Sequence, residues 1–254
     1  MDQPFGSINH GRGGMAEQTR FEAARRSMSF AFERGTSLAD PFLAMLPIDG
    51  ASVSVLRGPV GQWTVNASDT TAEWLDELQF GLGEGPCWDA MDLNSPISVP
   101  NLQSGTDTRW PAFTEAITEE GNVAAIHAFP LVFGSLDIGA VDLYSSTPGA
   151  LSAADLANGS ALASIATWQV LRTMLANEHS DSSAAPAHRR VVHQATGMVL
   201  VQLDVTAEHA ELIVRAHAFA SGRSVIEVAT DIVDRRLNLS TAGREPDDDP
   251  KLSQ

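Results

Sequence analysis

The sequence changes character at one place, and that change constrains the fold more than any other feature. Residues 180–186, Ser-Asp-Ser-Ser-Ala-Ala-Pro, have the small, polar, proline-ended composition of a linker. Before them, helical and strand periodicities alternate. After them, only helical periodicity remains, as far as Leu237. A length of 254 residues accommodates two such domains. The expected boundaries are a disordered leader over 1–14, a mixed domain over 15–178, a linker over 179–187, a helical domain over 188–238 and a disordered acidic tail over 239–254.

In the first domain, Phe21, Ala24, Met28 and Ala31 recur at helical spacing between Met15 and Arg34. Asp40-Pro41 breaks that run and places Pro41 in the first turn of a short helix. Residues 51–57 alternate, which predicts a strand with Val53 and Val55 inward and Ser52 and Ser54 outward. Residues 62–67 alternate again after the Gly58-Pro59 turn, so the two runs form a hairpin. Asp69 to Phe80 is helical, with Trp74, Leu75 and Leu78. The run Gly81-Leu82-Gly83-Glu84-Gly85-Pro86 reads as a loop. A short strand at 97–99 and a helix at 110–119 follow. Residues 123–133 and 137–144 are two apolar strands joined by Gly134-Ser135. Ser152 caps a long helix, with Asp155 at its third position. The fold class is therefore α+β, an antiparallel sheet flanked by helices.

Charge divides with the domains. Residues 1–185 carry 8 Arg against 22 acids, residues 186–242 carry 6 Arg against 6 acids, and the tail adds the rest of the net −16. A polyanionic partner is repelled by the first part and tolerated only by the second. A single cysteine, Cys87, excludes a disulfide framework and a cysteine-based zinc site. Its two readings are a small buried hydrophobe and a redox sensor. The absence of an 18-residue apolar run predicts no membrane span, and a cytoplasmic location is expected.

Three helices are expected past the linker. Val191, Val192, Ala195, Met198, Val199 and Leu203 stripe the first. Thr206 caps the second, and Gly222 ends it. Ser224 and Glu227 form a capping box for the third, lined by Val225, Val228, Ala229, Ile232 and Val233. Gly197 lies inside a helix, where glycine costs about 1 kcal/mol against alanine. Either it packs tightly against a neighbouring helix, or it admits a ligand. On the polar side the sequence places Arg189, Arg190, His193, Gln194 and Thr196, joined by Arg215 and Arg223. Arginine and glutamine grip phosphate or read splayed bases. Arg215 also has an ordinary helix partner in Glu211.

The run Gln194-Ala195-Thr196-Gly197-Met198 resembles the Gln-Ala-Lys-Gly-Met/Ile segment of ANTAR domains. Ala210, Arg215, Ala218, Arg223, Ser224 and the Val228-Ala229 pair resemble that family's second and third helices. The resemblance implies an antiterminator that binds RNA stem-loops, and a homodimer. Thr196 departs from the family's usual lysine. The first domain resembles a GAF domain in its element order and in the Gly83-Glu84-Gly85-Pro86 turn before Cys87 and Trp88. That resemblance implies a small-molecule ligand, with Trp63, Trp88, His127 and Phe129 as candidate pocket residues. Core packing is the competing reading for each. The sequence names no cofactor, no metal ligands and no catalytic residues, so no enzymatic activity is expected. The rival functions are a small-molecule-binding module whose helical end dimerises or docks a protein, and a thiol enzyme using Cys87.

Overall fold

The computed structural model describes residues 11–57, 62–104, 108–120, 122–179, 187–221, 223 and 225–239, and side chains at 11–14, 119, 120, 177–179, 187–190, 208 and 219 are outside that description. The expected leader up to residue 10, the Gly58-Pro59 turn, the 180–186 linker, Gly222, Ser224 and the tail past 239 lie outside the described residues. The chain divides into two compact units, Met1–Ser182 and Ser183–Gln254.

The first unit holds a five-stranded sheet in the order β2-β1-β5-β4-β3, built from β1 (Gly50–Val55), β2 (Trp63–Ala67), β3 (Ile97–Val99), β4 (Ala125–Phe133) and β5 (Leu136–Ser145). Every neighbouring pair is antiparallel. The helices are α1 (Gly11–Ser29), α2 (Ala31–Arg34), α3 (Asp40–Met45), α4 (Thr70–Leu82), α5 (Pro86–Leu93), α6 (Pro111–Glu120) and α7 (Ala153–His179). The expected helix from Met15 to Arg34 is thus broken at Phe30. Helix α5 was not anticipated. Gly81 and Leu82 belong to α4, and Pro86 opens α5, so the expected loop shrinks to a turn at 83–85.

Both faces of the sheet are covered. Ala51, Val53, Val55, Phe129, Leu131, Val141 and Leu143 pack with Met28, Phe42, Leu162 and Ala166 of α1, α3 and α7. On the other face, Ile97, Val99, Ile126 and Ala128 pack with Leu75, Ala90, Phe113 and Ile117 of α4, α5 and α6. This overturns one expectation. Ser52 and Ser54 do not face solvent; all six residues of β1 are buried. The alternation marks two protein environments rather than core and water.

The second unit consists of α8 (Ala187–Leu203), α9 (Ala207–Ala220) and α10 (Val225–Val233). Its core is Ala195, Val199, Ala210, Val214, Ala218, Val228, Ala229, Ile232 and Leu239. Asp204 ends α8 in a left-handed conformation (φ 53°), and the Thr206 hydroxyl accepts from His209 N at 3.3 Å, capping α9.

Candidate functional site

The second sheet face carries a polar cluster at its centre. Register pairs Ser52 with Asp142 and Ser54 with Thr64, so these four side chains share that face. Helix α4 brings Asp76 and Gln79 onto them. Its start is fixed by Asp69, whose carboxylate accepts from Thr71 N (2.9 Å) and Ala72 N (3.0 Å). Asp76 accepts from the hydroxyls of Ser52 (2.8 Å), Ser54 and Thr64 (2.9 Å). Gln79 donates through Nε2 to Asp142 Oδ2 at 2.6 Å and accepts from Cys87 N at 2.9 Å. Trp88 Nε1 donates to the Gln79 carbonyl at 2.9 Å. Gly85 admits this arrangement: its φ is +136°, and a Cβ there would sit 2.5 Å from Gln79 Oε1.

Two buried carboxyls under one sheet cannot both ionise cheaply. Burial pushes Asp76 up to about 6, against the pull of its three hydroxyls. Burial, then the charge of Asp76, pushes Asp142 well above the usual carboxylate range. Asp142 Oδ1 is buried with no hydrogen-bond partner among the described residues. The Cys87 thiol is also buried, and its ionisation is pushed up by desolvation and by both aspartates. The geometry therefore suits Cys87 to packing and not to nucleophilic or redox chemistry.

On the helical unit, the open side of α8 presents His193, Gln194, Gly197 and Val201, all exposed. A Cβ built on Gly197 would meet nothing within 4 Å, so close helix packing does not explain this glycine.

A family model described as GAF domain matches residues 32–168. The chain belongs to the GAF domain family. A second model, described as ANTAR domain, matches residues 181–233. The pairing makes the chain a GAF and ANTAR domain-containing regulator of the signal-transduction class. No curated protein matches the chain. Among solved structures, the GAF domain of an Acinetobacter phosphoenolpyruvate-protein phosphotransferase is 11% identical, with 63% of this chain and 96% of that one covered at a TM-score of 0.48. The chromophore-binding domain of a bacteriophytochrome from R. palustris is 12% identical, with 69% and 66% covered at a TM-score of 0.44. Among the described residues, no helix is long and apolar enough to cross a membrane.

Within the GAF domain the four expected pocket residues do not converge. Trp63 and Phe129 belong to the core on the α1–α7 face, and Phe129 lies against Gly159 of α7. Trp88 lies on the opposite side of the sheet, on α5. His127 is buried, shares a hydrogen bond with Ser98 (Nδ1···Oγ 2.8 Å), and is held neutral to lower pH by desolvation. A cleft of about 430 Å³ lies beside β3, lined by Ser98, Val99, Pro100, Asn101, Ser104, Thr108 and Arg109, and none of the four expected residues lines it. The polar residues that do converge are Ser52, Ser54, Thr64, Asp76, Gln79 and Asp142. The sequence signal is polar residues at alternate positions of β1, and Asp76 and Gln79 three apart on α4.

In the ANTAR domain the expected RNA-contacting set is also divided. Thr196 is not on the open side: it is 9% exposed, and its hydroxyl donates to Val192 O at 2.9 Å. The reason is helical phase, since Thr196 lies four residues after Val192 and three before the buried Val199. Arg215 pairs with Glu211, and Arg223 with Asp231 at 2.6 Å. Asp231 also accepts from Arg236 Nε at 2.6 Å, and these two arginines hold its carboxyl below the usual range. Arg189 and Arg190 lie in α8, with side chains outside the described residues. His193, Gln194 and Gly197 remain as the open surface.

Proposed function

We propose that this protein is an RNA-binding antitermination regulator, in which the GAF domain controls access of the ANTAR helices to RNA stem-loops. It acts in the cytoplasm as a homodimer and performs no catalytic step. A small molecule bound at the GAF domain shifts the helix that begins after Ser152, and α7 passes the change onward. The observation that carries the reading is the glycine at 197. A helix-interior glycine costs about 1 kcal/mol against alanine, and here a Cβ would have free space. Close approach of an external backbone accounts for keeping it. Gln194 flanks it as a polar reader with both donor and acceptor.

The test is to cross-link the full chain to RNA in its own host and sequence what is recovered, then measure those hairpins against wild type and Gly197→Ala at several salt concentrations. Enrichment of stem-loops, salt-sensitive binding and a tenfold or greater loss in the variant are expected. No enrichment of folded RNA, or equal binding by the variant, refutes the reading.

A second reading has its own support. The pairing of Arg215 and Arg223 with acids, together with the exposure of Val201 (77%) and Leu212 (61%), favours a GAF module whose C-terminal helices dock a protein. Failure to retain RNA in low salt selects it.

A further inference from the structure

The polar cluster under the second sheet face holds two acids and no base. Asp76 and Asp142 are both buried, at 1% and 5% exposed. Register sets Asp142 beside Ser52, whose hydroxyl is bonded to Asp76, so one serine stands between the two carboxyls. The other charges that act there are negative: Glu73 of α4 bears on Asp76, and both aspartates bear on the Cys87 thiol of α5. Basic side chains of the adjoining elements are engaged elsewhere. Arg57, just past β1, pairs with Asp92 and Asp137 at the surface, and Arg109 pairs with Asp89. His127 of β4 shares register with Leu143, which packs on the α1–α7 face, so its imidazole lies across the sheet. The two carboxyls differ in support. Three hydroxyls donate to Asp76, whereas Asp142 accepts from Gln79 Nε2 at 2.6 Å and its Oδ1 has no partner among the described residues. The same Gln79 side chain holds the start of α5 by accepting from Cys87 N. The chain arrives there through Gly83 (φ +67°) and Gly85 (φ +136°), and a Cβ on Gly83 would meet nothing within 4 Å, so the turn has room to move.

We propose that the Asp76–Asp142 pair makes the first unit a sensor of acidity: its protons keep the start of α5 closed on the sheet, and their loss to water opens the turn at 83–85. The proposal goes beyond the function stated above and is independent of RNA binding. Its direction follows from linkage. With α5 closed, both carboxyls stand above the ordinary carboxylate range, Asp76 at about 6. With the turn open, water reaches them and they return towards that range. The closed form therefore binds more protons, is favoured by acid, and gives way as the pH rises. Asp76 ionises first, because the hydroxyls of Ser52, Ser54 and Thr64 stabilise its charge. Asp142 must then ionise beside that charge with one amide as its donor. Admitting water to Oδ1 relieves it, and the way in is release of Gln79, which frees Cys87 N. Each proton lost on opening multiplies the opening equilibrium by about ten per pH unit, until the closed value is passed. Asp76 alone, between its ordinary value of 3.8 and about 6, supplies about a tenfold rise from pH 5 to pH 7. Asp142 adds to it.

The experiment is amide hydrogen exchange of the full chain at pH 5, 6 and 7, read by mass spectrometry on peptides covering 83–93. Hydroxide catalysis of exchange is divided out, and low urea separates local opening from global unfolding. In the wild type, α5 is expected to open with little dependence on urea, and at least about tenfold more at pH 7 than at pH 5. With Asp76→Asn and Asp142→Asn combined, the change over the same range is expected to be less than about threefold. Each single substitution is expected to leave a smaller rise than the wild type shows, which decides the matter if the double variant loses its circular dichroism. Opening that ignores pH, a full rise that persists in the variants, or exchange of 86–93 only with unfolding of the whole unit overturns the proposal. None of these results bears on RNA binding, which has its own test above.

Discussion

Replacing Asp142 with Asn is expected to stabilise the GAF domain, by an amount that grows with pH. Asp142 is pushed well above its ordinary value of 3.8, so between that value and its folded one the folded state holds a proton that the unfolded chain releases. Holding it costs about 1.4 kcal/mol for each pH unit between the ordinary value and the folded one. The sign follows directly. A raised carboxyl gives its full support to folding below pH 4, and that support drains away as the pH climbs towards the folded value. Asp76 adds a similar loss between its ordinary value of 3.8 and about 6. Asparagine needs no proton. Its carbonyl can accept from Gln79 as Oδ2 does, and its NH2 replaces Oδ1, which has no partner among the described residues. Asp49 and Asp69, whose carboxyls are lowered by their hydrogen bonds, act in the opposite direction, but only as the pH falls through the acid range. Measurements between pH 5 and 8 avoid them. For a unit of this size, 1 kcal/mol moves Tm by about 2–4 °C. The gap between variant and wild type should therefore widen by about 3–6 °C for each pH unit until the folded value is passed. Tryptophan fluorescence is the assay, because all five tryptophans lie in the first unit. A gap that stays constant with pH, or a variant less stable than wild type at pH 8, would refute the buried-proton account.

Gly85→Ala should destabilise the GAF domain by about 2–3 kcal/mol, read as a lower urea midpoint, because it adds left-handed strain to a collision with Gln79. Cys87 should react with less than one equivalent of an aromatic disulfide reagent until denaturant is added, and prompt labelling of native protein would contradict its burial. Gly197→Ala should raise the thermal stability of the helical unit by about 0.5–1 kcal/mol, followed by circular dichroism, and a loss of stability would mean the glycine is structural after all.

The three C-terminal helices were legible because one stripe per helix suffices to bury so small a unit, and Val191, Ala195, Val199, Val228 and Ile232 fall on those stripes. The α+β order and most strands were legible for the same reason. Helix α5 was not, since eight residues, Pro86–Leu93, are too few to show a period and follow a glycine run. The polar cluster was misread at Ser52 and Ser54. Alternation separates two faces of a strand, but it cannot say whether the second face meets water or another layer of helices. Aromatic character does not say which layer a ring joins: Trp63 belongs to a strand whose parity turns it to the α1–α7 face, and Trp88 to α5 on the other side. Thr196 was chosen by motif position, although its spacing from Val192 and Val199 already turned it inward.

Gln79 ties the sheet to two helices through one residue. Its amide nitrogen donates to β5 through Asp142, its side-chain oxygen accepts from Cys87 N in the first turn of α5, and its main-chain oxygen accepts from both Gly83 N and the indole of Trp88. A change at Asp142 is therefore felt at the start of α5 through a single intervening side chain, with no solvent between them.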